Sequence, residues 1–218
     1  MEIPVVANVL KRGEEVAAKN RATLRAAGVR SVNLMGSPGC GKTALLERTL
    51  SSLGGEIRIG VMTGDLTTTR DAERIAALTD RVVQINTGRG CHLVPDQVRE
   101  GIARFDLAGL ELLFLENVGN LICPVGCDLG QDARVGMFSV PEGDDKPAKH
   151  PYLVLEADLI LLNKSDLLPH VPFDIDVFER DLRAMREDVP LLTMSAVTGE
   201  GFDAWLDWLR RLVATRES

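Results

Sequence analysis

Short apolar runs alternate along this chain with longer segments in which apolar side chains recur every three or four residues. Residues 32–35, 56–63, 81–86, 110–115, 135–140, 159–163 and 190–194 are of strand length and largely apolar. Residues 42–53, 71–78, 95–104, 174–186 and 202–213 have the spacing of helices with one buried face. In the last of these, Phe202, Trp205, Leu206, Leu209 and Val213 share that face. A leading helix is expected over about residues 4–28, where Val5, Val6, Val9 and Leu10 interleave with Lys11, Arg12, Glu14 and Glu15, with Gly28 as its stop. Residues 120–132 read as irregular and 141–151 (PEGDDKPAKHP) as a polar loop. Strands that are apolar throughout, separated by helices, predict a mostly parallel sheet with helices on both faces. With no repeat, low-complexity tract or linker, the 218 residues are expected to form a single domain, 1–218.

The segment between the first strand and its helix carries the clearest chemistry. Gly36-Ser37-Pro38-Gly39-Cys40-Gly41-Lys42-Thr43 matches G-x-x-x-x-G-K-[ST] at every required position. Glycines keep Cβ atoms away so that backbone N–H groups can converge on phosphate oxygens. Lys42 supplies a point charge to the β- and γ-phosphates, Thr43 a hydroxyl for Mg²⁺, and Ala44 continues the first helical turn, whose dipole faces the anion. The α/β fold is therefore expected to be that of a P-loop NTPase.

Two further strand ends indicate guanine. Asn163-Lys164-Ser165-Asp166 follows the strand at 159–162 and has the N-K-x-D form in which an aspartate pairs with guanine N1–H and its exocyclic amine. Adenine offers no such donors, and a buried carboxylate left unpaired penalises the wrong base. The bland alternative is a turn in which Ser165 or Asp166 caps Leu167-Leu168. Ser195-Ala196 resembles the companion S-A-x motif, whose amide meets the guanine oxygen.

Two segments are candidates for sensing the γ-phosphate. Thr63-Gly64-Asp65 opens TGDLTTTRDAERI, which brings Asp65 and Asp71 to the carboxyl edge of the sheet, where ligands of such sheets lie. Asp71 is either a Mg²⁺-side carboxylate or merely the N-cap of the helix after it. Glu116-Asn117-Val118-Gly119 stands where GTPases carry D-x-x-G, so Glu116 can hold a Mg²⁺-bound water and the Gly119 N–H can meet the γ-phosphate. Lys42, Asp65, Asp71 and Glu116 are the candidate catalytic set, with Mg²⁺ assigned to Thr43, Asp71 and Glu116.

Composition narrows the setting. At 45% hydrophobic and 26% charged the chain is ordinary for a globular protein, and a net charge of −7 argues against a nucleic-acid surface. The longest apolar runs are too short to cross a membrane, and residues 1–20 lack the form of a secretion signal, so a cytoplasmic location is expected. There Cys40, Cys91, Cys123 and Cys127 are thiols or metal ligands rather than disulfides. Cys91-His92, after Gly88-Arg89-Gly90, combines a soft and an intermediate donor suited to Zn²⁺ or Ni²⁺. Cys123 follows seven residues after Glu116, so a metal on these three would adjoin the γ-phosphate sensor.

In order, the phosphate loop, TGDLTTTRDAERI, INTGRGCH, LENVGNLICP, SVPEGDDKP and NKSD resemble the hydrogenase nickel-incorporation (maturation) GTPase family, HypB, over about residues 5–215. The resemblance implies the dimerising, SIMIBI branch of P-loop GTPases. It implies slow hydrolysis of GTP to GDP, and delivery of nickel to the [NiFe]-hydrogenase large subunit with a HypA-type nickel chaperone. It further implies that Cys91, His92 and Cys123, on loops at about 88–95 and 120–132, bind Ni²⁺ or Zn²⁺ at a homodimer interface. Urease and cobalamin metallochaperones are the related alternatives, and a nucleotide-stabilised metal scaffold or a small-molecule kinase the more distant ones. Three departures stand out. Only His92, His150 and His170 are present, which argues against a nickel-storage tract; Val94-Pro95 replaces the acidic residue usual after C-H-L; and Cys127 is an extra thiol, either a fourth ligand or a small buried residue. Cys40 reads as filler, though its place beside the nucleotide makes it a candidate for oxidation.

Overall fold

Parallel strands cannot be joined by tight turns, so each strand of this protein leads into a crossover segment. The computed structural model describes residues 8–66 and 68–215. Strands β1 (Arg30–Gly36), β2 (Ile59–Asp65), β3 (Val82–Asn86), β4 (Leu112–Glu116), β5 (Ala133–Ser139), β6 (Leu159–Asn163) and β7 (Leu191–Thr193) form one sheet in the order β3-β2-β4-β1-β5-β6-β7. Every pairing is parallel. The helices are α1 (Asn8–Ala26), α2 (Lys42–Leu53), α3 (Arg70–Ala76), α4 (Pro95–Ile102), α5 (Lys146–Lys149), α6 (Pro151–Glu156), α7 (Ile175–Met185) and α8 (Phe202–Ala214).

The continuous apolar runs follow from burial on both faces. In β6, Leu159 and Leu161 pack with α2 and α8, whereas Ile160 and Leu162 pack with α6 and α7. Beyond β1, Met62, Leu113 and Leu115 meet α1 and α4. Trp205 of α8 is wholly buried, stacks on Trp208 at 5.5 Å, and donates its indole N–H to the buried Thr49 hydroxyl of α2 at 2.9 Å.

Polar contacts fasten α1 to two loops. The buried Asn20 amide donates to the carbonyls of Pro95 (2.9 Å) and Leu129 (3.1 Å), and Arg21 forms a two-pronged bond with Asp128 at 2.8 Å.

Most predicted elements appear within a few residues, and α2 matches its predicted span. Residues 4–7 of the expected leading helix lie outside the described residues. The segment 141–151 is not simply a polar loop: it includes α5 and the start of α6. Pro147 and Pro151 each stand in the first turn of a helix, where a missing N–H costs nothing, so prolines that read as breakers are initiators. Helix α3 begins at Arg70 with Thr69 at its N-cap, so Asp71 lies in its first turn and is not the cap.

Trp205→Ala is expected to lower stability by about 3–5 kcal/mol, because a large buried side chain leaves a cavity. Thr49→Val, which strands the indole N–H, should cost about 1–3 kcal/mol. Urea unfolding of the two variants checks both values.

Candidate nucleotide and metal site

The phosphate loop leaves the carboxyl end of β1, at the middle of the sheet, and enters α2. Gly41 adopts φ +103°, and a Cβ there would stand 2.5 Å from Asn163 Nδ2, so no other residue fits. The Lys42 ammonium donates to the Gly36 (3.1 Å) and Ser37 (3.0 Å) carbonyls. Ser37 also donates to Glu142, whose other carboxylate oxygen accepts from Ser139 at 2.7 Å.

Beside the loop lies a cavity of about 540 Å³ whose lining includes Lys42, Thr43, Asp65, Asp71, Glu116 and Gly119. The structure thus brings the whole candidate catalytic set together. Glu116 is only 4% exposed; Oε1 accepts the Thr43 hydroxyl at 2.8 Å, and Oε2 is buried without a partner among the described residues. Burial pushes its carboxyl up to about 7, against the lowering pull of the Thr43 hydroxyl and the Lys42 charge. Asp71, more exposed, pairs with Arg74 at 3.4 Å, and Arg74 is held in turn by Glu47 at 2.6 Å. Asp65 accepts the Thr68 N–H (3.3 Å) and hydroxyl (2.8 Å). Gly119 passes so close to the loop that a Cβ would stand 2.9 Å from Pro38 Cα.

The N-K-x-D residues grip the same loop. Asn163, buried, donates to the Cys40 carbonyl at 2.9 Å, and Lys164, at φ +62°, donates to the Gly39 carbonyl at 2.6 Å. Asp166 Oδ1 is buried and has no partner among the described residues. The Ala196 N–H, expected to face guanine, donates instead to Asn163 Oδ1 at 3.0 Å. Ser195 Oγ accepts the Val197 and Thr198 amides at 3.2 and 3.0 Å, shaping the turn. The two motifs therefore brace each other. The capping alternative at Ser165–Asp166 is not what forms: these residues make a short 3-10 turn with no side-chain cap.

Around Asn120, Cys91 Sγ, a His92 ring nitrogen and Cys123 Sγ all lie within 4.8 Å of one another. Cys91 Sγ stands 3.5 Å from His92 Nδ1. The Cys91 thiol is pushed up, first by its hydrogen bond with Cys123, and burial pushes the His92 imidazole down toward its neutral form. Neutral imidazole is the ligating form. Cys127 does not join them. Its thiol donates to the Leu93 carbonyl at 3.7 Å and packs against the α1–α4 core, and burial pushes its pKa up. Cys40 is wholly buried with its pKa raised by burial, so the suspicion of easy oxidation gives way to that of an inert core thiol. Val94 is extended and Pro95 opens α4, so the replacement of an acidic residue here simply starts that helix.

The sequence reading missed three asparagines. Asn117, buried, accepts the Leu93 and Val118 amides (3.0 and 3.1 Å) and donates to Asn33 Oδ1 at 3.1 Å. Asn120 donates through its main chain to the Gly36 carbonyl (3.0 Å) and through its side chain to the Cys91 carbonyl (3.4 Å). Its Oδ1 accepts the Ile122 (2.8 Å) and Cys123 (3.3 Å) amides. The available signal was Asn33 itself, an amide amid the apolar run of β1, since a buried amide has to find a polar partner.

A phosphate loop on the central strand of an all-parallel seven-stranded sheet, braced by N-K-x-D on β6, defines a P-loop GTPase of the SIMIBI class. Residues 30–193 match the CobW/HypB/UreG nucleotide-binding domain. The chain is 46% identical over 209 residues to the hydrogenase maturation factor HypB of Azotobacter vinelandii, covering 96% of this chain and 69% of that protein. Its structure is similar to crystallised HypB of Archaeoglobus fulgidus (TM-score 0.87, 40% identity, 93% of this chain and 99% of that one). It is also similar to HypB of Helicobacter pylori in complex with nickel (TM-score 0.89, 29% identity, 95% and 98%). The chain belongs to the HypB family of hydrogenase maturation factors. No helix among the described residues is long and apolar enough to cross a membrane.

Because the folded state favours protonated Glu116, its stabilising contribution is fully present below the ordinary carboxyl value of 4.5 and is lost as pH rises through about 7. Without nucleotide and Mg²⁺, Glu116→Gln should therefore melt higher than the parent at pH 8 and match it near pH 4. Thermal unfolding of both proteins across that range checks the slope.

Proposed function

We propose that this chain is a GTP-hydrolysing metallochaperone that binds nickel (or zinc) at Cys91, His92 and Cys123 and delivers nickel for [NiFe]-hydrogenase maturation. The observation that carries this reading is the convergence of those three donors within 4.8 Å of one another, Cys123 lying seven residues beyond Glu116 of the cavity beside the phosphate loop. Two thiols and an imidazole suit Ni²⁺ or Zn²⁺ and ill suit Mg²⁺.

Guanine is read by Asp166, whose unpartnered buried oxygen suits the N1–H and amine of the base. Asn163 and Lys164 hold the loop to the base pocket, with Ser195 and Ala196 setting that pocket's far wall. Lys42 swings from the Gly36 and Ser37 carbonyls to the β- and γ-phosphates, while main-chain N–H groups of residues 39–44 cradle them. The unpartnered Glu116 oxygen beside the Thr43 hydroxyl fits Mg²⁺, which would be held by Thr43, Glu116 and Asp71; when bound it neutralises charge on the phosphates. Asp65 lies at the same edge and orders its own turn through Thr68. The Gly119 N–H meets the γ-phosphate, so its departure as inorganic phosphate loosens the chain that runs on to Cys123. Hydrolysis is an in-line attack by water, with positioning and charge neutralisation supplying the catalysis.

Three donors leave a metal site open to a further ligand, and Cys91 and Cys123 are exposed. A second copy of the chain, brought up by GTP and metal, joins two such half-sites into a homodimer. A HypA-type nickel chaperone and the hydrogenase large subunit are the other partners, in the cytoplasm.

Cys91→Ala and Cys123→Ala should each lose bound nickel and metal-dependent dimers while still releasing phosphate from GTP. Metal analysis, sizing with GDP and with a GTP analogue, and a phosphate-release assay test this; full nickel retention in both variants would refute the site. Asp166→Asn should turn selectivity from guanine toward xanthine nucleotides by roughly a hundredfold or more, since the carboxylate's partners on the base are reversed. Competition binding reads that ratio.

A further inference from the structure

The two ligand-binding ends of the molecule share one residue that holds both. Asn120 donates its main-chain N–H to the Gly36 carbonyl at 3.0 Å, an isolated antiparallel bridge outside the parallel sheet. That same carbonyl accepts the Lys42 ammonium at 3.1 Å. The Asn120 side chain then reaches both cysteine loops, donating to the Cys91 carbonyl and accepting the Cys123 N–H. A continuous hydrogen-bonded path therefore runs from the phosphate-binding lysine through Gly36 and Asn120 to the main chain of both thiol ligands. Its whole length involves only three intervening groups, and none of them is a metal ligand.

We infer that Asn120 is the positioning residue that couples the spacing of Cys91 and Cys123 to the state of the phosphate loop. The inference rests on the functional reading above, in which those cysteines hold nickel. When Lys42 turns to the phosphates, the Gly36 carbonyl loses one of its two donors and the bond from Asn120 becomes its remaining tie to this path. Any shift of Asn120 in response moves the Cys91 carbonyl and the Cys123 amide together, because one planar amide holds both. Nickel acts in reverse: fixing the two sulfurs fixes Asn120, and with it the first residue of the phosphate loop. Reciprocity of linked equilibria requires the two effects to be equal in free energy. Groups behind metal ligands commonly set affinity by orienting them, with losses of about 10–100-fold on removal.

The test uses Asn120→Ala, which removes the three side-chain bonds (to Cys91, Ile122 and Cys123) and keeps the main-chain bond to Gly36, and Asn120→Asp, which keeps an acceptor for the Ile122 and Cys123 amides and loses the donor to Cys91. Nickel is titrated into the full chain with GDP and with a non-hydrolysable GTP analogue, following the thiolate-to-nickel absorption band. The parent protein is expected to show different nickel affinities in the two nucleotide states. In Asn120→Ala the affinity should weaken by about tenfold or more and the ratio between states collapse toward one. Asn120→Asp should fall between the two. A folded Asn120→Ala that keeps the parental ratio overturns the inference. Equal affinities in the parent would likewise overturn the inference, whereas no nickel binding at all would instead sink the metallochaperone reading itself. If the variants fail to fold, amide hydrogen exchange on the parent decides. Nickel must slow the Asn120 and Cys123 amides and those of residues 36, 37 and 39–42 together; protection confined to the cysteine loops overturns the inference.

Discussion

The alignment of two neighbouring parallel strands underlies everything at the ligand-binding edge. β1 and β4 run side by side with Leu34 opposite Glu116, so the last residue of one strand stands two residues short of the phosphate loop of the other. Glu116 is thereby within reach of the Thr43 hydroxyl at the start of α2, and the bond between them closes at 2.8 Å. A slip of one residue would turn the Glu116 side chain to the opposite face of the sheet. The backbone ladder and apolar packing on both faces hold that register, and the Asn117 side chain donates to Asn33 Oδ1 at its end.

Above this edge the loops are joined by buried amides. Asn20, Asn117 and Asn163 each spend hydrogen bonds on main-chain groups of other segments: Pro95 and Leu129, Leu93, and Cys40 and Ala196. An amide buried without partners would cost a few kcal/mol, so each of these fastens its loops in one arrangement. The atoms left without partners are informative for the same reason. Glu116, whose Oε2 is unpartnered, lines the cavity beside the phosphate loop, and the unpartnered Asp166 Oδ1 belongs to the turn whose Asn163 and Lys164 hold that loop.

The cluster of Cys91, His92 and Cys123 has the opposite character. Cys91 and Cys123 are exposed thiols, and their loops carry Ile122, 71% exposed, at the surface. A resident structural ion would call for a closed four-ligand site, whereas three accessible donors suit an ion that is to be passed on. Cys127, four residues after Cys123, faces the core instead and leaves the site open.

Much of the architecture was legible in the sequence, because strands buried on both faces are apolar throughout and α2 opens directly from a loop with a strict glycine pattern. The phosphate loop and N-K-x-D were legible because their chemistry demands particular residue types, whereas the grouping of Cys91, His92 and Cys123 was implied by the family resemblance. The helices within 141–158 were less so, since proline reads as a breaker until its place in a first turn is known. Asn117 and Asn120 were invisible for a related reason: an asparagine in a loop resembles any turn residue, and its partners lie as far off as Asn33, 84 residues away. Nor does spacing show that Cys127 turns inward or that the Ala196 amide is taken by Asn163. The sequence by itself determined the class of the fold and the kinds of ligand, through backbone and donor requirements that are local. Which side chains meet was decided only by the tertiary structure, because hydrogen bonds between loops depend on where a parallel sheet sets down the ends of strands distant in the chain.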